Sequence, residues 1–304
     1  MAVTNTESGA NSAEIQQPLP NVPWYHICDP KSPGLDELAK RFHLHELHIE
    51  DCRHRPQRAK TEERDNYLFV VAKHLHTDKK FSFDDLDVFI GKDFIITVVS
   101  EDRDFMKQVC DRVGRDAIRI DRLFYYLLDI IVDAYMTVLD DIAEDTSDVE
   151  SEVLERPEPQ LLRHIFDLKR KLIGFRRVAS DMREVVNAII RREGGILGDD
   201  LDPYFRDVYD HIVRTVDLIE TYRDLLTGSL DIYLSAVANR TNEVMKVLTI
   251  YGTIALPLVI ITGFFGMNLP LPWANAPHGT LFAISLMIAS TLLVLYYFKR
   301  KHWF

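Results

Sequence analysis

The chain has 304 residues, of which 47% are hydrophobic and 27% charged, and its formal net charge is −11. That balance excludes disorder over most of the length, and the acidic surplus argues against a nucleic-acid binder. Three scattered cysteines, Cys28, Cys52 and Cys110, make no CxxC pair and no disulfide framework, which suits a reducing compartment and points to no metal site.

In chain order, residues 1–20 are polar, without the apolar segment of a secretion leader, and are expected to be a disordered tail. Residues 21–103 are expected to form an α/β domain. "GLDELAKRF" and "HELHIEDCRH" have the apolar spacing of short amphipathic helices. "NYLFVVAKHLHT", "DLDVFIGKD" and "DFIITVVSE" read as strands, with "GKD" as a hairpin turn. In "HLHELH", His43, His45 and His48 lack the HExxH spacing of a zinc site and are expected at the surface or an interface.

Residues 104–245 turn helical. One long amphipathic pattern runs to Pro157, a second to Gly194–Gly195, and a third starts near Tyr204. Helices this long suggest a stalk rather than a globule. An acidic run, Asp140, Asp141, Glu144, Asp145, Asp148, Glu150, Glu152 and Glu155, holds no basic residue. It fits a solvated face or a region that concentrates cations. Lys169, Arg170, Lys171, Arg176 and Arg177 follow it as a basic group suited to acidic helices or anionic headgroups.

Residues 247–298 contain no Asp, Glu, Lys or Arg, enough for two membrane spans of about 20 residues each. We expect a first transmembrane helix over 246–268, continuous with the stalk, an external loop over 269–278, a second transmembrane helix over 279–298 and a basic tail over 299–304. Lys246, Lys299, Arg300 and Lys301 flank the spans while the loop has no Lys or Arg, so both termini are expected in the cytoplasm. Asn239-Arg240-Thr241 matches a glycosylation sequon, but this topology places it inside the cell.

At helical spacing the first span presents Asn242, Met245, Thr249, Gly252, Leu256, Val259 and Gly263 on one side, with Leu248 beside them. Small and polar residues in such a stripe fit a helix-packing seam or a pore face. Two spans cannot enclose a water path alone, so transport would require a ring of several copies. The chain carries no GxxxxGK[ST] loop and no Ser-His-Asp set, so no enzyme is expected.

Several blocks, in order, resemble the CorA family of divalent-cation channels. They are "IEDCRHRPQRAK", "NYLFVV", "EVLERPE", "YFRDVYDH", "RTNEVMKVLTI", "LPLVIITGFFGMN" and "YYFKRKHWF". The resemblance implies an α+β cytoplasmic domain, a long helical stalk and two transmembrane helices, assembled as a funnel-shaped homopentamer in the inner (plasma) membrane. It implies that Gly266, Met267 and Asn268 form the selectivity filter. Intracellular Mg2+ would bind between subunits at Asp51 and Asp207, with Glu50 as a further ligand, and close the channel. Lys299, Arg300 and Lys301 would form a basic collar, and Met245, Leu248 and Leu256 a hydrophobic constriction.

The expected cargo is Mg2+, with Co2+ and Ni2+ as further ions. Alternatives are a zinc-transporting branch of the same superfamily, carrying Zn2+, and a membrane-anchored helical scaffold without transport. Two positions depart from the family pattern. Phe265 stands before the GMN triplet where Tyr is usual, and the loop "LPLPWANAPHG" has no acidic residue.

Overall fold

The computed structural model of the chain describes residues 15–19, 21–76, 81–100, 105–114, 118–155, 157–192, 195–267, 278–301 and 303. It divides into two compact units, Met1–Ser229 and Leu230–Phe304.

The first unit is built on a five-stranded sheet: β1 (Trp24–Ile27), β2 (Lys60–Glu63), β3 (Tyr67–His76), β4 (Ser82–Gly91) and β5 (Ile95–Val98). The order is β1-β5-β4-β3-β2, with β1 parallel to β5 and the other pairs antiparallel. Successive side chains of β3 face opposite ways. Tyr67, Phe69 and Val71 enter a core with Tyr25, Ile27, Phe89, Ile96 and Val98, while Leu68, Val70 and Ala72 are buried on the other side. The "GKD" hairpin joins β4 to β5 through a 2.9 Å bond from Gly91 N to the Phe94 carbonyl. A Cβ on Gly91 would overlap the Phe94 ring, so the turn admits only glycine without rearrangement.

Two short helices cover one face, α1 (Pro33–Phe42) and α2 (Glu46–Arg53). Ser32 caps α1 by accepting from Gly34 N at 3.2 Å, and Pro33 presets the first turn. His45 caps α2 through Nδ1, which accepts from Leu47 N at 3.2 Å. Leu35, Leu38, Ile49 and Cys52 then join the core. Burial pushes the Cys52 thiol well up, followed by the nearby Asp87 charge, so the group stays an inert apolar filler.

The opposite face lies against long helices, α4 (Ile120–Glu155) and α5 (Pro159–Ile190). Tyr135 donates its hydroxyl to the Lys73 carbonyl, and Met182 Sδ accepts from Lys73 N at 3.4 Å. The rings of Tyr135 and Phe175 meet edge to face at 5.3 Å. Before them, α3 (Phe105–Val113) ends at Gly114, whose φ of 74° favours glycine. Arg112 ties α3 to Asp129 and Asp133 of α4. The second long helix stops at Ile190, ahead of the Gly194–Gly195 pair, of which Gly194 lies outside the described residues.

α6 (Asp202–Phe265) is one 64-residue helix, and its residues after Ser229 belong to the second unit together with α7 (Gly279–Arg300). Pro257 lies inside α6, which a membrane helix tolerates where hydroxyls and neighbours meet freed backbone groups. Both helices contain stretches of mean hydropathy 2.1, long and apolar enough to cross a membrane. The side chains there are exposed in the single chain, among them Val247, Leu248, Tyr251, Leu256, Val259, Leu281, Leu292 and Leu293. An apolar surface on this scale demands lipid or further protein.

Candidate functional site

The residues expected to line a pore sit on one continuous stretch of α6. Half-buried Ile250, Ile254, Pro257, Leu258, Ile261 and Phe265 fall on one line of the helix, and the Phe265 ring is 6.4 Å from Phe282 of α7. Asn242, Met245, Leu248, Thr249, Gly252, Leu256, Val259 and Gly263 are all exposed. At roughly 100° per residue they lie on the opposite side of the helix. The stripe is therefore turned away from α7 and is not the seam between the chain's own two apolar helices. Thr249 and Thr253 return their hydroxyls to the carbonyls of Met245 and Thr249, each at 2.7 Å.

At the end of α6, Gly266 N donates to the Thr262 carbonyl at 2.9 Å and Met267 N to the Phe264 carbonyl at 3.4 Å. A Cβ on Gly266 would lie 2.9 Å from that Thr262 oxygen, so the turn out of the helix needs glycine. Asn268 and the loop up to Pro277 lie outside the described residues. At the far end of α7, Lys299, Arg300 and Lys301 are exposed, and Trp303 stacks on Phe298 at 5.1 Å.

The proposed regulatory carboxylates are in the first unit. Asp207, on α6, is exposed, with His211 Nε2 at 4.0 Å one turn on. Glu50 is exposed on α2, 3.9 Å from His54. Asp51 is better held: its Oδ2 accepts from Lys60 Nζ at 2.8 Å. Among the described residues Asp51 and Asp207 share no ion pair within one chain, and no group of three potential ligands would hold a metal within one chain.

Lys60 belongs to a network that the sequence pattern did not reveal. Its ammonium also donates to Glu62 Oε1 at 2.6 Å and lies 5.8 Å from the Phe69 ring centre. Glu62 Oε2 accepts from His48 Nε2 at 3.0 Å, which leaves Nδ1 to accept from the Tyr67 hydroxyl at 2.8 Å. Tyr67 in turn accepts from His45 N at 2.9 Å. Burial lowers the His48 pKa against the opposing pull of Glu62, so the ring is neutral at pH 7. The expectation of a surface or interface position is corrected for His48, which is 1% exposed and stacked on Phe69 at 4.3 Å. The Lys60 ammonium and His48, in that order, hold the Glu62 carboxyl below its ordinary range.

The acidic run lies along α4 outside its buried positions Ile142, Thr146, Val149 and Val153, with Asp145 half-buried, and none of its carboxylates forms an ion pair among the described residues. The basic group of α5 is partly engaged elsewhere. Lys169 donates to Thr227 at 2.7 Å, Arg176 pairs with Glu220 at 2.6 Å and Arg170 lies 3.7 Å from Asp167.

Comparison with known proteins gives one consistent answer. The sequence profile of the family described as CorA-like Mg2+ transporter protein matches residues 21–300. The cobalt/magnesium transport protein CorA of Thermotoga maritima is 36% identical over 278 residues, covering 88% of this chain and 79% of that protein. The protein of the same name from Methanocaldococcus jannaschii is 25% identical over 287 residues, covering 92% of this chain and 90% of its own. The solved structure of the CorA magnesium transporter from Methanocaldococcus jannaschii superposes with a TM-score of 0.83 over 92% of this chain and 91% of that one, at 24% identity. The chain belongs to the CorA-like Mg2+ transporter family.

Proposed function

We propose that the protein is a divalent-cation channel that admits Mg2+, and with it Co2+ and Ni2+, down the electrochemical gradient. The observation that carries this reading is the uncharged stripe of α6, small and polar in part, on the side turned away from α7. Copies arranged with these stripes inward, five in number on the family resemblance, would enclose a path that two spans alone cannot. The first span covers 246–268 and the second 279–298, with 269–278 outside the inner membrane and both termini in the cytoplasm. The relatives named as cobalt/magnesium transport proteins support the choice of ion.

Mg2+ gives up its water reluctantly and prefers octahedral oxygen ligands. Neutral amide oxygens from a ring of Asn268 would hold the hydrated ion without trapping it, with Gly266 and Met267 shaping the approach. Asn242 would form a second polar ring towards the cytoplasm, while Met245, Leu248 and Leu256 close the path by excluding water. An inside-negative potential supplies about 4.6 kcal/mol per 100 mV for a divalent ion, so no ATP is required. Metal uptake into liposomes tests the reading, with Zn2+ beside Mg2+ to separate it from a zinc-transporting relative.

Closure would come from Mg2+ bound between Asp51 of one copy and Asp207 of the next. The two carboxylates repel until a cation joins them. Asp207→Lys places an ammonium in that gap. It is expected to abolish the dependence of limited proteolysis on Mg2+, because the ammonium pairs with Asp51 of the next copy and slows digestion whether or not the ion is present. Full protection of the variant by Mg2+ would remove Asp207 from the site.

A further inference from the structure

We propose that Lys60 is a built-in competitor for the divalent cation at Asp51, and so sets the Mg2+ concentration at which the protein closes. The inference rests on the reading of Asp51 as a regulatory ligand.

The Lys60 ammonium already behaves as a stand-in cation there. It bridges Asp51 Oδ2 at 2.8 Å and Glu62 Oε1 at 2.6 Å, two carboxylates from different elements, above the face of Phe69. The arrangement shows that this donor set accepts a cation. A divalent ion and an ammonium on the same carboxylate oxygen repel strongly, so one must leave. The mobile partner is Lys60, whose side chain is 32% exposed on a flexible stem.

Glu62 offers the place to go. Lys60 and Glu62 lie two residues apart on β2 and therefore share a face of the strand. Glu62 itself stays fixed, because the buried His48 ring holds its second oxygen and Tyr67 holds His48. When the divalent ion arrives, the ammonium moves wholly onto Glu62. When the ion leaves, the ammonium returns to Asp51 and screens a carboxylate that would otherwise repel Asp207 of the next copy. Lys60 thus lowers affinity for the ion and reduces the repulsion across the metal-free interface with one movement.

The opposite role, in which Lys60 merely holds Asp51 in position for the metal, predicts the opposite sign. The full-length protein in detergent is titrated with MgCl2, and the midpoint of protection from limited proteolysis is read. Lys60→Met is expected to lower that midpoint about three- to fivefold, the factor appropriate to a partly exposed ion pair. Lys60→Arg keeps the cation and holds the midpoint near wild type. Lys92→Met removes the same charge from the exposed β4–β5 turn and leaves the midpoint in place. Melting curves without metal verify that each variant is folded.

An unchanged or raised midpoint in Lys60→Met overturns the proposal. Asp51→Asn separates the two levels. If it loses protection while Lys60→Met shifts nothing, only the competitor role falls. If Asp51→Asn is protected like wild type, the regulatory reading of Asp51 falls and the competitor with it.

Discussion

Asn268→Ala is expected to reduce Mg2+ flux through the reconstituted protein by more than about tenfold, with little change in folding or assembly. On the proposed arrangement the substitution would remove one amide oxygen from every copy, and a ring of acceptors would disappear at once. A hydrated Mg2+ then has no fixed partners for its water shell at the point where it must be captured. Two residues earlier, Gly266 N closes the last turn on the Thr262 carbonyl at 2.9 Å, and a Cβ there would crowd that oxygen. Asn268 itself is outside the described residues, so its proposed role rests on the motif. Asn268→Asp is the informative companion. A ring of carboxylates would hold the ion more tightly and release it more slowly, so flux would fall while the apparent affinity rose. Wild-type flux in Asn268→Ala would place the filter elsewhere.

Arg55→Ala is expected to destabilise the first unit by about 3–5 kcal/mol, because it strands a buried charge. The guanidinium donates to the carbonyls of Cys52 at 2.9 Å, Asp85 at 2.8 Å and Val98 at 2.9 Å and pairs with the Asp87 carboxylate. Asp87 is fully buried. Burial pushes its pKa up to about 6, the Arg55 charge opposes this and Asp85 adds to it. At pH 7 the carboxylate is therefore ionised and depends on Arg55. The sign of the pH effect follows. The folded value exceeds the ordinary 3.8, so the contribution of Asp87 is fully present below about pH 4 and is lost as pH rises through 6. Without Arg55 the folded value rises further. The deficit of Arg55→Ala, measured by chemical unfolding, is thus expected to be largest at pH 7–8 and to shrink towards pH 4. A deficit independent of pH would mean that the lost carbonyl bonds, and not the stranded charge, carry the effect. Arg55→Lys is expected to recover part of the loss, since one ammonium cannot reach every acceptor of the planar fork.

The sheet was readable where strands alternate strongly. "NYLFVVAKHLHT" and the two runs around "GKD" became β3, β4 and β5. β1 and β2 were not expected as strands, and for opposite reasons. "WYHI" is buried at every position and shows no alternation, and "KTEE" is polar because its strand lies at the sheet edge. Both are strands only because a partner is already there, which a local pattern cannot express. The long helices were legible because their apolar spacing persists over many turns and prolines mark their ends. His48 was misplaced for a related reason. Three histidines in six residues look like a surface cluster, but the buried Tyr67 hydroxyl and the edge carboxylate of Glu62 satisfy both ring nitrogens.

Within the candidate site, the stripe of α6 could be listed from spacing but not assigned. Seam and pore face share the same small and polar composition. The half-buried side of α6 lies opposite the stripe, which removes the stripe from the chain's own α6–α7 contact and leaves a seam between copies or a pore face. Lys60 gave no signal at all, because a single lysine in a largely polar stretch is a common feature of any soluble surface. Its meaning comes from α2 bringing Asp51 to within 2.8 Å of it.

The central claim is that this chain conducts divalent cations, and flux into liposomes measures it most directly. Purified protein is reconstituted with an internal Mg2+ indicator, and an inside-negative potential is imposed with a K+ gradient and ionophore. The expected result is rapid Mg2+ entry that grows with the potential, slows to the rate the concentration gradient alone sustains when the potential is collapsed, needs no nucleotide and is weakened by Mg2+ loaded inside. A folded, membrane-inserted protein that passes neither Mg2+ nor Co2+ under that potential would contradict it, and would leave a membrane-anchored helical assembly in its place.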